Sequence, residues 1–403
     1  MPLATGVAKQ LRYKKEVTWG VAPGASGAQL LRRVTSDLDL SKETYESSEI
    51  RSDYQVSDYR HGIRRVQGSI NGELSPGTYK DFMAAAMRQA FQTAPTSGAL
   101  INVTASATAP HYVRASGSWI TNGFKVGDVV RWSGWLVATT NNARNFLITA
   151  LTATDMSGIH LDGTAVVARA SGDSVTVTLQ GKKTWTPQTG HTDESFAIEH
   201  WFADVSRSEL YLGCKVDAID LELPPTGISK INLGFMGANV TDAATAYYTS
   251  PTVETTSGVL AAVNGYLYVQ GTQIAICTGL KVSYKGGMSS DPVVGASTVP
   301  DIFEGRVMVE GEMSAYFENN TFRDLFINET EATLFCTFTT ANIATADFIS
   351  LVLPRIKYNG SKKSDGEKAI IQTMPFKALL NGAGGSSVNS EKATLTIQDS
   401  TVA

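Results

Sequence analysis

The stretch "RRVQGSINGELSPGTYKDFMAAAMRQAF" (Arg64–Phe91) alternates and then turns helical within a few residues. Val66, Gly68, Ile70, Gly72 and Leu74 fall on one face, and Arg65, Gln67, Ser69, Asn71 and Glu73 on the other. A half-buried strand requires this period of two. Ser75 offers an N-cap and Pro76 suits a first helical residue. Tyr79, Phe82, Met83, Ala86, Met87 and Ala90 then follow helical spacing as one apolar stripe.

The same step recurs in "GRVMVEGEMSAYFENNTFRDLFINE" (Gly305–Glu329). Val307, Val309, Gly311, Met313 and Ala315 share a face opposite Arg306, Glu310, Glu312 and Ser314. Asn319, Asn320 or Thr321 supplies a cap, and Phe322, Leu325 and Phe326 form a shorter stripe. Upstream, "VTSDLDLS" from Val34 matches "CTGLKVSY" from Cys277. Downstream, "GCKVDAIDLELPPTGISKINLGFMG" from Gly213 matches "LPRIKYNGSKKSDGEKAIIQTMPFKA" from Leu353 as strand, turn, strand. Self-similarity at so long a period reads as a duplicated unit and not a solenoid.

The copies differ after the helix. In the second, "ATLFCTF" follows from Ala332; in the first, "SFAIEHWF" at Ser195 comes only after residues 92–192. That intervening stretch is predicted to be an inserted small β-barrel of short strands with Gly, Asn and Asp punctuation. The expected organisation is a discontinuous first copy (1–91 and 193–250), the insert (92–192) and a second copy (251–403). The fold class is mainly β: two sandwich- or barrel-type units, each with one flanking helix, plus the insert.

The 403 residues are 42% hydrophobic and 18% charged, a packed composition outside the disordered class. The net charge of −4 carries no basic excess for gripping phosphates; Arg60, Arg64 and Arg65 make only a small cluster. No apolar run reaches membrane-spanning length, and "MPLATGVAKQLRYKKEV" lacks a signal-peptide core, so folding in a cytoplasm is expected. Cys214, Cys277 and Cys336 lie far apart without CxxC spacing and read as free thiols.

No catalytic constellation emerges, so no enzyme activity, metal or cofactor is expected. In "HTDESFAIEH", His191 and His200 lack the i, i+4 spacing of HExxH. There is no GxSxG elbow or P-loop. Trp119, Trp132 and Trp135 either fill the insert's core or offer a stacking surface for sugars.

The order "VTWGVAPG", strand–helix, "FAIEHWF", "YLGCKVDAIDLELPPTGISKINLGFMGA", "VEGEMSAYFENNTF" and a late "LP" strand resembles the major tail tube proteins of tailed bacteriophages over 1–91 and 193–403. The resemblance implies a structural virion protein, assembled in the host cytoplasm. Its strands join those of other copies into a β-barrel around a lumen that passes DNA without specific binding. It implies stacked rings, with tape measure, tail terminator and distal tail proteins as partners. A usual ring has six tube folds; two per chain predicts three chains with pseudo-sixfold symmetry, with six chains as the alternative. An outward insert would obstruct a sheath, which favours a non-contractile tail.

A lining that lets DNA slide must avoid a basic surface. Asp37, Asp39, Glu73, Asp220, Glu222, Glu310 and Glu312 are the lumen candidates, or form salt bridges between subunits. The long polar excursions at 41–62 and 284–304 read as arms toward a neighbouring subunit or ring. Glu43, Tyr45, Glu49, Arg51, Tyr54, Arg60, Asp291 and Asp301 are the arm candidates. The rival from another class is a carbohydrate-binding or adhesin protein, which would bind glycans and have no reason to polymerise.

Overall fold

The alternating stretch forms the strand Tyr59–Glu73 in the computed structural model, which describes residues 3–365 and 367–403. Val66, Ile70 and Leu74 are fully buried, while Gln67 between them is exposed. The buried face packs on helix α1 (Lys80–Ala86), where Phe82 meets Tyr13, Phe196 and Phe235 at ring separations of 4.6, 4.8 and 5.4 Å.

The helix starts later than its sequence signals predict. Ser75–Thr78 form a turn instead: the Ser75 and Thr78 hydroxyls bond at 2.7 Å, and Gly77 has φ +76°. The Gly77 N–H donates to the Asp399 carboxylate at 2.7 Å, which holds the turn to the C-terminal strand. Tyr79 precedes the first helical residue without a side-chain cap. Ala90 lies beyond the helix and is exposed, whereas Phe82–Arg88 are buried on every side, so the expected single stripe becomes an enclosed helix.

One continuous antiparallel sheet runs through most of the chain. Asp39–Glu46 pairs with Tyr59–Glu73, which pairs with Lys230–Gly237 and then with the end of Arg207–Leu223. That end also pairs with Cys277–Lys285, followed by Met308–Tyr316, Ile371–Ala378 and the end of Phe348–Tyr358. The order of partners in the first four strands is thus met again in the last four. Even the pairs match in type: Gly68 faces Phe235, and Gly311 faces Phe376.

Two of its strands leave this sheet at their N-terminal halves. Arg207–Leu223 there pairs with Phe196–Phe202, which pairs with Lys9–Lys15. Phe348–Tyr358 pairs with Ala332–Thr339, which pairs with Gly265–Val269. A single large apolar cluster lies between the layers and takes in Val66, Ile70, Leu221, Val282, Met313 and Phe376. The second helix, α2 (Thr321–Ile327), buries only Leu325; Asn319 accepts from the Thr321 N–H at 2.9 Å at its start.

Residues 103–179 contribute a separate six-stranded antiparallel sheet, a half-barrel with Thr176–Leu179 and Val103–Ser106 at its edges. Its core holds Tyr112, Trp119, Trp132, Trp135 and Phe146. It docks through Val129, Leu147 and Leu161 against Tyr268, Phe335, Phe348 and Val352. Lys183, buried, spans the junction to Asp128 at 3.2 Å and Glu391 at 2.8 Å.

Candidate functional site

The long sheet has one buried face and one polar face, and all seven acidic candidates stand on the polar one. Alternation places them there: Asp220 and Glu222 flank buried Leu221, and Glu310 and Glu312 flank Gly311. Glu73 is three residues beyond buried Ile70, and Asp37 and Asp39 sit either side of buried Leu38. The Asp37 carboxylate accepts from the Ser69 N–H, which fixes it beside the adjoining strand.

The same face carries lysines that the acidic reading of the sequence passed over. Lys281 lies opposite both Glu222 and Glu312, and its ammonium is 3.2 Å from the Glu222 carboxylate. Lys377 lies opposite Glu310 at 3.1 Å, and Lys230 lies between Glu73 and Glu222. These pairs are half exposed and each stabilises the fold by at most about 1 kcal/mol. Their consequence is electrostatic: the face is mixed in sign, with every named lysine beside a carboxylate. Cross-strand register brings them together, and a one-sequence scan for acids alone cannot see it.

Two edges of this sheet are unpaired among the described residues. Thr35–Ser36 and Asp39–Glu46 pair only with Tyr59–Glu73. At the far end, Lys362–Lys363 pairs only with Ile371–Ala378. Outward N–H and C=O groups of such edges invite another strand; on the first edge the Leu40 N–H donates to the Asp39 carboxylate at 2.7 Å and the Ser36 carbonyl accepts from Lys9 at 3.1 Å.

The two polar excursions differ. The first is a hairpin whose tip, residues 47–60, is exposed almost throughout. Several of its charges are paired locally. Arg65 pairs with Glu43 at 3.2 Å, Arg51 with Asp53 at 2.8 Å and Arg60 with Asp58 at 2.9 Å. The Tyr45 hydroxyl donates to Glu43, and the Ser57 hydroxyl to Glu49. Tyr45, Ile50, Tyr54 and Val56 are left uncovered, and Tyr54 has φ +58°. The second excursion instead lies along its own chain. Asp301 accepts from buried Lys215 at 3.1 Å, and Val299 and Ile302 pack on Ile63. Asp291 is exposed.

The polar cluster at 191–200 resolves into structural contacts. Glu199 is fully buried and accepts from Ser208 Oγ at 2.6 Å and from the Tyr247 N–H at 2.5 Å, with Arg12 at 3.5 Å. His200 is buried with Nε2 2.9 Å from the Ser36 hydroxyl. Burial, with Lys9 and Arg33 nearby, pushes its pKa down to about 3. At neutral pH the ring is uncharged, so its 3.9 Å approach to Glu209 is not an ion pair. His191 is exposed and apart. Trp119, Trp132 and Trp135 are at most 2% exposed, which withdraws them as a sugar-stacking surface. Burial raises the thiol pKa of Cys214, Cys277 and Cys336 and keeps them protonated.

Compared with known families, residues 6–378 match the sequence model of the phage tail tube protein. No curated protein sequence matches the chain.

Proposed function

The chain belongs to the phage tail tube protein family, and from that premise we propose that three copies close each ring of the tube. Membership makes it a structural component of the virion tail that polymerises with itself, not an enzyme. The trimer goes further and rests on one observation: two successive four-strand sets follow the same order of partners in a single sheet. Each set is read as one tube fold, the first from 1–91 and 193–250 and the second from 251–403. Three chains then supply the six folds of a pseudo-sixfold ring.

In this ring the polar face of the sheet lines the lumen. Asp37, Asp39, Glu73, Asp220, Glu222, Glu310 and Glu312, interleaved with lysines, give a surface of low net charge. Phosphates passing over it find no run of cations to release their counterions, so DNA slides without being held. Residues 92–192 lie across the sheet layer that includes Phe335 and Phe348, away from the polar face, and so face outward, as in a tube without a sheath. The 41–62 hairpin is the arm to the next subunit or ring, which covers Tyr45, Ile50, Tyr54 and Val56.

Class averages of assembled rings by electron microscopy test the reading. Three peripheral densities for residues 92–192 are expected per ring; six would replace the trimer with a hexamer.

A further inference from the structure

We propose that the ring closes by repeating, between chains, the strand seam found inside each chain; this rests on the ring reading above. The internal seam is antiparallel. Ala218 lies opposite Lys285, Asp220 opposite Ser283, and Glu222 opposite Lys281. It is held on the polar face by the Ser283 hydroxyl donating to Asp220 at 2.6 Å and by Lys281 with Glu222 at 3.2 Å.

The two glycine–phenylalanine pairs give the register for transferring this seam. Asp220 lies opposite Asn232, three residues before Phe235; Lys362 lies opposite Thr373, three residues before Phe376. Lys362 therefore takes the place of Asp220, and Ser364 that of Glu222. On the other side, Ser283 lies opposite Glu310, the residue before Gly311; Asp39 lies opposite Gln67, the residue before Gly68. Asp39 takes the place of Ser283, and Asp37 that of Lys281.

The repeated seam thus sets the Lys362 edge of one chain against the Asp39 edge of the next. Both strands are unpaired on that side among the described residues, and both side chains are exposed. Lys362 meets Asp39, and Ser364 meets Asp37. The internal seam has its carboxylates on the strand that precedes the junction; here the signs are exchanged and complementarity is kept. Opposite charges directly across a strand pair favour that pairing, and like charges oppose it. The exchange also gives selectivity: the Lys362 edge is matched to the Asp39 edge, not to another copy of itself.

Cysteines at the two positions test the seam. Directly opposed residues of an antiparallel pair bring their Cβ atoms within about 4.5–5.5 Å, close to the reach of a disulfide. Tubes of the full chain carrying Asp39→Cys and Lys362→Cys, oxidised and run without reductant, are expected to give a ladder ending at three chains. Either cysteine alone should give none. Intact tubes with no ladder would overturn the seam and leave the ring standing. A ladder ending at six would keep the seam and overturn the three-chain ring. Should the cysteine pair block assembly, charge reversal decides. Asp39→Lys or Lys362→Asp alone should raise the protein concentration needed for tubes, and both together should bring it back; no shift from either alone would refute the seam.

Discussion

Gly311 and Phe376 are cross-strand partners packed so closely that a methyl group on the glycine would lie 2.3 Å from the ring and 2.4 Å from the Lys281 carbonyl oxygen. Gly68 holds the matching place in the first half, with φ +152° and Leu38 backbone atoms where a Cβ would sit. In both places the glycine lets neighbouring backbone approach the strand that leads to a helix. Gly311→Ala is expected to destabilise the chain by about 1–3 kcal/mol, because the added carbon meets backbone that cannot swing away. Denaturant unfolding of the soluble chain would read it as a lower midpoint.

Lys183 is shared by Asp128 and Glu391 at the junction of the half-barrel with the remainder. Lys183→Met takes the shared ammonium from buried Asp128 and part-buried Glu391 and should cost about 3–5 kcal/mol. Adding Asp128→Leu and Glu391→Leu should recover much of that loss. Hydrogen exchange is the sharper readout: residues 92–192 should lose protection before the long sheet does.

His200 makes stability depend on acid. Its pKa is about 3 when folded and about 6.5 unfolded, so the unfolded chain binds the proton first as pH falls. The stabilisation is complete above pH about 6.5 and declines toward pH about 3 by roughly 1.4 kcal/mol per unit. His200→Gln should flatten this part of the stability profile, measured as unfolding midpoints from pH 7 to 4.

Glu310 and Glu312 test the lining. Glu310→Lys with Glu312→Lys places two cations beside Lys377 and Lys281 on the polar face. Tubes should still form, since these half-exposed pairs contribute little to folding. The assembled variant should retain double-stranded DNA at low salt and release it as salt rises, where the parent retains none.

The exposed hairpin tests the arm. Replacing residues 47–57 with a short Gly-rich turn removes Ile50, Tyr54 and Val56 without touching the main apolar cluster. The chain should fold with unchanged circular dichroism yet fail to form long tubes, which negative stain would show as isolated rings or single chains.

Much of this was written locally. Alternation around Val66 and Met313 sets two strands and their buried faces, and the short polar stretches after them announce two helices. The spacing of tryptophans in 92–192 marks apolar weight, but only enclosure by the six-stranded sheet decides that Trp119, Trp132 and Trp135 are core. Cap signals at Ser75 and Pro76 were misleading for a tertiary reason: Gly77 is bound to Asp399, more than three hundred residues away in the chain.

The sequence by itself determined strands, their two faces and the recurrence of one strand–helix step, because each follows from residue period and local backbone preference. Only the tertiary structure decided which strands lie side by side. Pairing depends on hydrogen bonds between distant segments, and it alone puts Lys281 against Glu222, Lys377 against Glu310, and leaves the edges at Asp39 and Lys362 open.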